Sequence, residues 1–85
     1  MTIEEKLQFA KDNKEISTEE IKQDIEDTKV EINELSREAS GYRIVGDKMS
    51  RFKADNREIQ IQERNVFIEK LEAILWVREH YFTAS

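Results

Sequence analysis

The apolar residues of this chain fall into three periodic stretches, and the spacing within each predicts a helix. Ile3, Leu7 and Ala10 stand four and three positions apart, which places them on one face of a short helix over about residues 3–13. Thr2 and Glu5 have the spacing of a capping box, in which each side chain satisfies a backbone N–H at the helix start. Asn13 and Lys14 weaken that helix. Ser17 and Glu20 then repeat the capping signature, so a second helix begins at about Thr18 and runs to about residue 40. Its apolar positions Ile21, Ile25, Thr28, Ile32, Leu35, Ala39 and Tyr42 alternate spacings of four and three without a slip. That is a heptad seam, the pattern of helices crossing at a shallow angle.

The window Gly41–Gly46 predicts a corner, and Asp47 is placed to cap the next helix. No breaker intervenes from about residue 47 to 82, so a third helix of roughly 35 residues, or roughly 52 Å, is expected, against roughly 34 Å for the second. Folding back at the corner sets Leu35 against Phe52, Ala39 against Met49, Thr28 against Ile59 and Ile21 against Val66. The predicted architecture is all-α: one domain over residues 1–85, an antiparallel hairpin of two long helices with a short N-terminal helix, three-helix and coiled-coil-like. The first helix is expected to cover the overhang of the third, where apolar residues crowd from Val66 to Phe82, making a three-helix knot at that end.

The third helix carries a second apolar stripe. Met49, Phe52, Ile59 and Val66 are expected to look toward the second helix, while Ile61, Ile68, Leu75 and Phe82 recur at intervals of seven with Leu71 between them. Residues 59 and 61 lie about 200° apart on a helix, so one neighbour cannot cover both stripes. The plain alternative is an ordinary core with the first helix tucked over it. A helix apolar on two sides is usually buried on two sides, however. The expectation is therefore a homodimer through Ile61, Ile68, Leu71, Leu75 and Phe82, with Trp76 as an adjoining anchor.

Composition supports the helical reading and directs the functional one. Proline and cysteine are absent, charged residues make up 39% of the chain, and the only two glycines are Gly41 and Gly46. So short a chain, with no disulfide or thiolate metal site to reinforce it, draws only a few kcal/mol from its own core, and such domains often gain stability by association. The net charge of −5 argues against general binding to nucleic acid or anionic lipid. No stretch approaches the length of a membrane span, and the N-terminus lacks the blocks of a secretory signal, so a cytoplasmic location is expected.

Charge is also patterned. Glu20, Asp24, Asp27, Glu31, Glu34 and Glu38 form an acidic ridge along the second helix, whereas residues 37–57 carry six basic side chains against three acidic ones. The ridge reads as a solvated face with helix-flanking pairs, or as a surface that docks on a basic protein. A sharper alternative is an inhibitor that imitates a row of nucleic-acid phosphates, since carboxylates along a helix stand about 5–6 Å apart. The assumed register sets Lys48, Asp55, Gln62 and Glu69 opposite the ridge, a mixed set. The basic corner, with Arg43, Lys48, Arg51, Lys53 and Arg57 beside Tyr42 and Phe52, is a weaker candidate for contact with nucleic acid.

Catalytic chemistry has no visible carrier. His80 is the sole histidine, no glycine lies in a phosphate loop, and Thr18, Ser40 and Ser50 have no base at a recognisable spacing. An amphipathic membrane-surface helix over 66–82 is disfavoured by Glu69, Glu72 and Glu79. The expectation is a non-enzymatic regulatory protein without cofactor or metal, which self-associates and binds another protein.

Overall fold

The computed structural model of the protein describes residues 1–82. Three helices stand in order along the chain: α1 over Ile3–Asp12, α2 over Thr18–Val45 and α3 over Lys48–Val77, the last continued by a π-helical turn over Arg78–Phe82. Each start is set by a side chain that accepts a backbone N–H otherwise left without a partner. The Thr2 hydroxyl accepts from Glu5 N–H at 3.1 Å, Ser17 from Glu20 N–H at 3.1 Å, and the Asp47 carboxylate from Ser50 N–H at 2.7 Å. The bond from Ser50 N–H, joined by one from the Ser50 hydroxyl, holds the Asp47 carboxyl below its usual pKa.

The corner is shorter than the glycine window suggests. α2 runs through Gly41 as far as Val45, and only Gly46 and Asp47 separate it from α3. Gly46 ends the helix in the left-handed region at φ 77°, with its N–H donating to the Tyr42 carbonyl at 3.1 Å. One glycine suffices as the stop, so the other is carried inside the helix, where a Cβ would meet nothing within 4 Å. The two positions should respond oppositely to the same change. Gly41→Ala should raise stability by about 0.5–1 kcal/mol, while Gly46→Ala should lower it by at least as much; urea melts of the two variants compare the signs directly.

The longer α2 changes the register. Arg57 donates to Glu38 at 2.6 Å and Arg64 to Glu31 at 2.9 Å. Each α2 residue therefore meets α3 about eight positions further along than a corner at 41–46 would place it, a shift of roughly 12 Å. The ridge carboxylates Glu31 and Glu38 face arginines, not the mixed set of Lys48, Asp55, Gln62 and Glu69.

α3 also turns a different face to α2. The seven seam positions of α2 are all buried or half-buried, as its periodicity predicts. On α3, however, Met49, Phe52, Ile59 and Val66 are exposed. The sheltered series is Ser50, Ala54, Arg57, Ile61, Arg64, Ile68, Leu71, Leu75 and Arg78, again in steps of four and three. A two-residue corner brings the helices close at once, and Ser50 and Ala54 permit what Met49 and Phe52 would obstruct. Lower down, Arg57 and Arg64 lie half-buried with their guanidinium groups on the ridge.

The apolar core sits at the open end of the hairpin. Ala10, Ile21, Ile25, Ile68, Leu71, Ile74 and Val77 form one buried cluster, with Leu7, Phe9, Ile16, Ile32, Leu75 and Trp76 packed around it. α1 lies against α3 there, as expected from the crowding of apolar residues, although Ile3 stays outside the core and Phe9 joins its edge. The result is a rod of 57 × 23 × 17 Å.

Candidate functional site

Five large apolar side chains line the face of α3 that points away from α2. Their exposures are 63% for Met49, 62% for Phe52, 53% for Ile59, 49% for Val66 and 44% for Phe67. Counted at 100° per residue, Phe52, Ile59 and Val66 centre almost opposite the Ala54–Ile61–Ile68 line that meets α2. At the corner Ile44 and Val45 extend the patch, at 85% and 64% exposed. Isolated exposed apolar residues need no explanation; five on one side of a helix, with Asp55, Asn56, Gln62 and Glu63 between them, make that side a candidate contact surface.

The residues expected to mediate self-association lie elsewhere. Ile68 and Leu71 are core residues at 8% and 6% exposure, and Ile61, Leu75 and Trp76 are half-buried. Ile68 and Leu71 pack in the core with residues of α1 and α2, while Ile61, Leu75 and Trp76 keep part of their surface open. The Phe82 side chain lies outside the described residues. The stripe assigned to the hairpin is thus open, and the one assigned to a partner is buried at Ile68 and Leu71 and half-buried at Ile61 and Leu75.

The same outer face is partly roofed by α1. Lys70 lies with its ammonium 5.8 Å from the centre of the Phe9 ring. Met1 and Lys6 share a shallow cleft with Glu69, Glu72, Ala73 and Trp76, and Ala73 and Val77 beneath are buried. The roof stops there, leaving the stretch from the corner to Phe67 uncovered.

The acidic ridge is partly paired within the chain. Glu31 and Glu38 are engaged by Arg64 and Arg57, and Asp27 accepts a hydrogen bond from Gln23 at 2.9 Å. The pair with Glu38 raises the Arg57 pKa above its ordinary value. Asp24 is half-buried, while Glu20, Asp27, Glu31, Glu34 and Glu38 are all exposed. At the corner, Arg43 pairs with Glu58 and with Asp55, and Lys53 and Arg57 both approach the Tyr42 ring, at 5.5 and 5.6 Å from its centre. Tyr42 is therefore occupied by cations of its own chain.

His80 has a structural setting. Its ring stacks on Trp76 with centroids 4.4 Å apart, and its Nδ1 lies 2.9 Å from the Trp76 carbonyl, a bond it donates as the Nδ1–H tautomer. Tyr81 meets the same indole edge-on, and Lys6 stands 4.6 Å over it. Among the described residues no group of three or more His, Asp or Glu side chains is placed to hold a metal ion, and no helix is long and apolar enough to cross a membrane.

Arg78, which the apolar and charge patterns of the sequence do not single out, has a defined place in the fold. Its guanidinium donates to the Thr18 hydroxyl at 3.1 Å, to the Asn13 carbonyl at 3.1 Å and to the Ile16 carbonyl, tying the α1–α2 connection to the end of α3. The chain matches no protein-family model, no curated protein and no solved structure.

Proposed function

We propose that this chain is a non-enzymatic helical interaction protein, working in the cytoplasm, that self-associates and binds another protein through the outer face of α3. The observation that carries the reading is the set of large apolar side chains Met49, Phe52, Ile59, Val66 and Phe67 on one side of α3, which the chain's own helices leave in solvent. A chain this small gains from covering such a row, since its internal core is confined to one end. The rival reading, an acidic mimic of nucleic-acid phosphates, loses support from the arginines that hold Glu31 and Glu38.

The test is a mutation at the centre of the row. Wild-type protein should show twice the 10.1 kDa chain mass by light scattering across a concentration series. Ile59→Glu should show the single-chain mass with an unchanged far-UV circular dichroism spectrum. Equal masses for the two proteins would count against the reading.

A further inference from the structure

We propose that the corner of the hairpin is a second contact surface, which dips into the headgroup layer of an anionic lipid bilayer without crossing it.

At the corner the exposed apolar surface wraps round the end of the rod. Tyr42 faces α3, where Lys53 and Arg57 approach its ring. Ile44, two positions on, therefore lies about 200° away, on the side of α2 turned from α3. Ser50 and Ala54 are buried, so Phe52, two positions from each, points away from α2. Ile44, Val45, Met49 and Phe52 are all exposed, and they occupy both outer sides of the hairpin. One flat partner reaches a single side. A lipid layer closes round a tip from every side.

Depth agrees with this occupant. At about 1.5 Å per residue, none of the four stands more than about 8 Å from the corner along its helix. Segments that lie at a membrane interface sink their apolar groups roughly 5–10 Å.

The same tip carries cations that the fold leaves unanswered. The net charge of −5 conceals a local surplus of the opposite sign, since residues 43–58 hold five basic side chains against three acidic ones. Each carboxylate from Glu38 to Glu58 has a partner inside the chain. Glu38 holds Arg57, Asp55 and Glu58 share Arg43, and Asp47 accepts from Ser50 with Lys53 nearby. Lys48 and Arg51 are exposed and form no ion pair among the described residues. Their long stems can carry charge up to the headgroups while the apolar neighbours enter below. Anionic headgroups supply the counter-charge that the tip lacks. The remainder of the chain holds the negative surplus, so the same surface repels the body and the rod stands on its corner.

Because the chain contains no cysteine, a dye sensitive to its surroundings can be attached at one chosen position. Ile44→Cys carries it at the tip, and Lys14→Cys at the opposite end of the 57 Å rod. The vesicles are phosphatidylcholine with about one-quarter phosphatidylserine. Emission from Ile44→Cys should shift to the blue on these vesicles, while Lys14→Cys stays as in buffer. Adding Lys48→Glu and Arg51→Glu to the labelled tip variant should weaken binding at least about twentyfold, each cation near such a surface being worth about fivefold. Both positions are exposed and without ion pairs, so the far-UV circular dichroism spectrum should not change. The proposal is overturned by no shift at Ile44→Cys, by an equal shift at Lys14→Cys, by binding indifferent to the two reversals, or by equal binding to phosphatidylcholine alone. The protein-binding reading is tested separately, by the mass of Ile59→Glu.

Discussion

Ile74→Ala is expected to lower stability by about 2–5 kcal/mol, the usual cost of emptying a fully buried aliphatic site. Ile74 is completely buried, as are Ile21 and Val77, and all three belong to the one cluster in which residues of α1, α2 and α3 meet. Domains have about 0.05–0.15 kcal/mol of stability per residue, so the loss is a large share of the total for a chain of this length. Urea unfolding monitored by far-UV circular dichroism should show the midpoint falling steeply with little change in slope. Val30→Ala is the control: Val30 is 55% exposed on α2, outside the cluster. Midpoints displaced equally in the two variants would mean that the cluster is not what holds the rod.

Removing the Arg78 fork should have the next largest effect, and a more local one. Two of its three acceptors lie in the segment that joins α1 to α2, and the third, Thr18, opens α2. Hydrogen bonds from a charged donor are worth about 1.5–3 kcal/mol, and the Asn13 and Ile16 carbonyls would be left part-buried with those bonds unmade. Arg78→Met keeps the apolar stem and loses the fork, so α1 should lift from α3 more often while the hairpin stays folded. Limited trypsin digestion reads this as faster cutting after Lys11 and Lys14. Arg78→Lys should rescue only in part, because one ammonium cannot reproduce a planar fork that spans three oxygens. Cutting at the wild-type rate in Arg78→Met would show that apolar packing alone secures α1.

The contrast between those two sites reflects what was legible in the sequence. The helix starts at Thr2, Ser17 and Asp47 were readable because capping is decided within four residues. The α2 seam was readable because nearly every member is apolar. The facing seam of α3 was legible only in part: Ile61, Ile68, Leu71 and Leu75 stood out as a stripe but were given to a partner, because Ser50, Ala54, Arg57 and Arg64 break the apolar pattern above and a search for apolar residues settles on Met49, Phe52, Ile59 and Val66 instead. The tightness of the corner decides between the two faces, and that depends on which glycine ends α2. Gly41 and Gly46 look alike in sequence; only the second adopts a positive φ. Arg78 gives no local signal at all, because its partners lie sixty or more positions away. The candidate surface therefore stays on the helix that the sequence pointed to and moves to its opposite side.

The placement of the core gives the rod two unlike ends. Around the corner the helices are joined by small side chains and by arginine–carboxylate pairs, which ions in solution weaken. At the opposite end they are joined by packed hydrocarbon, which ions leave intact and urea dissolves. The molecule is a clothes-peg with a salt-sensitive hinge and an oily grip, and solvent can loosen either without first releasing the other.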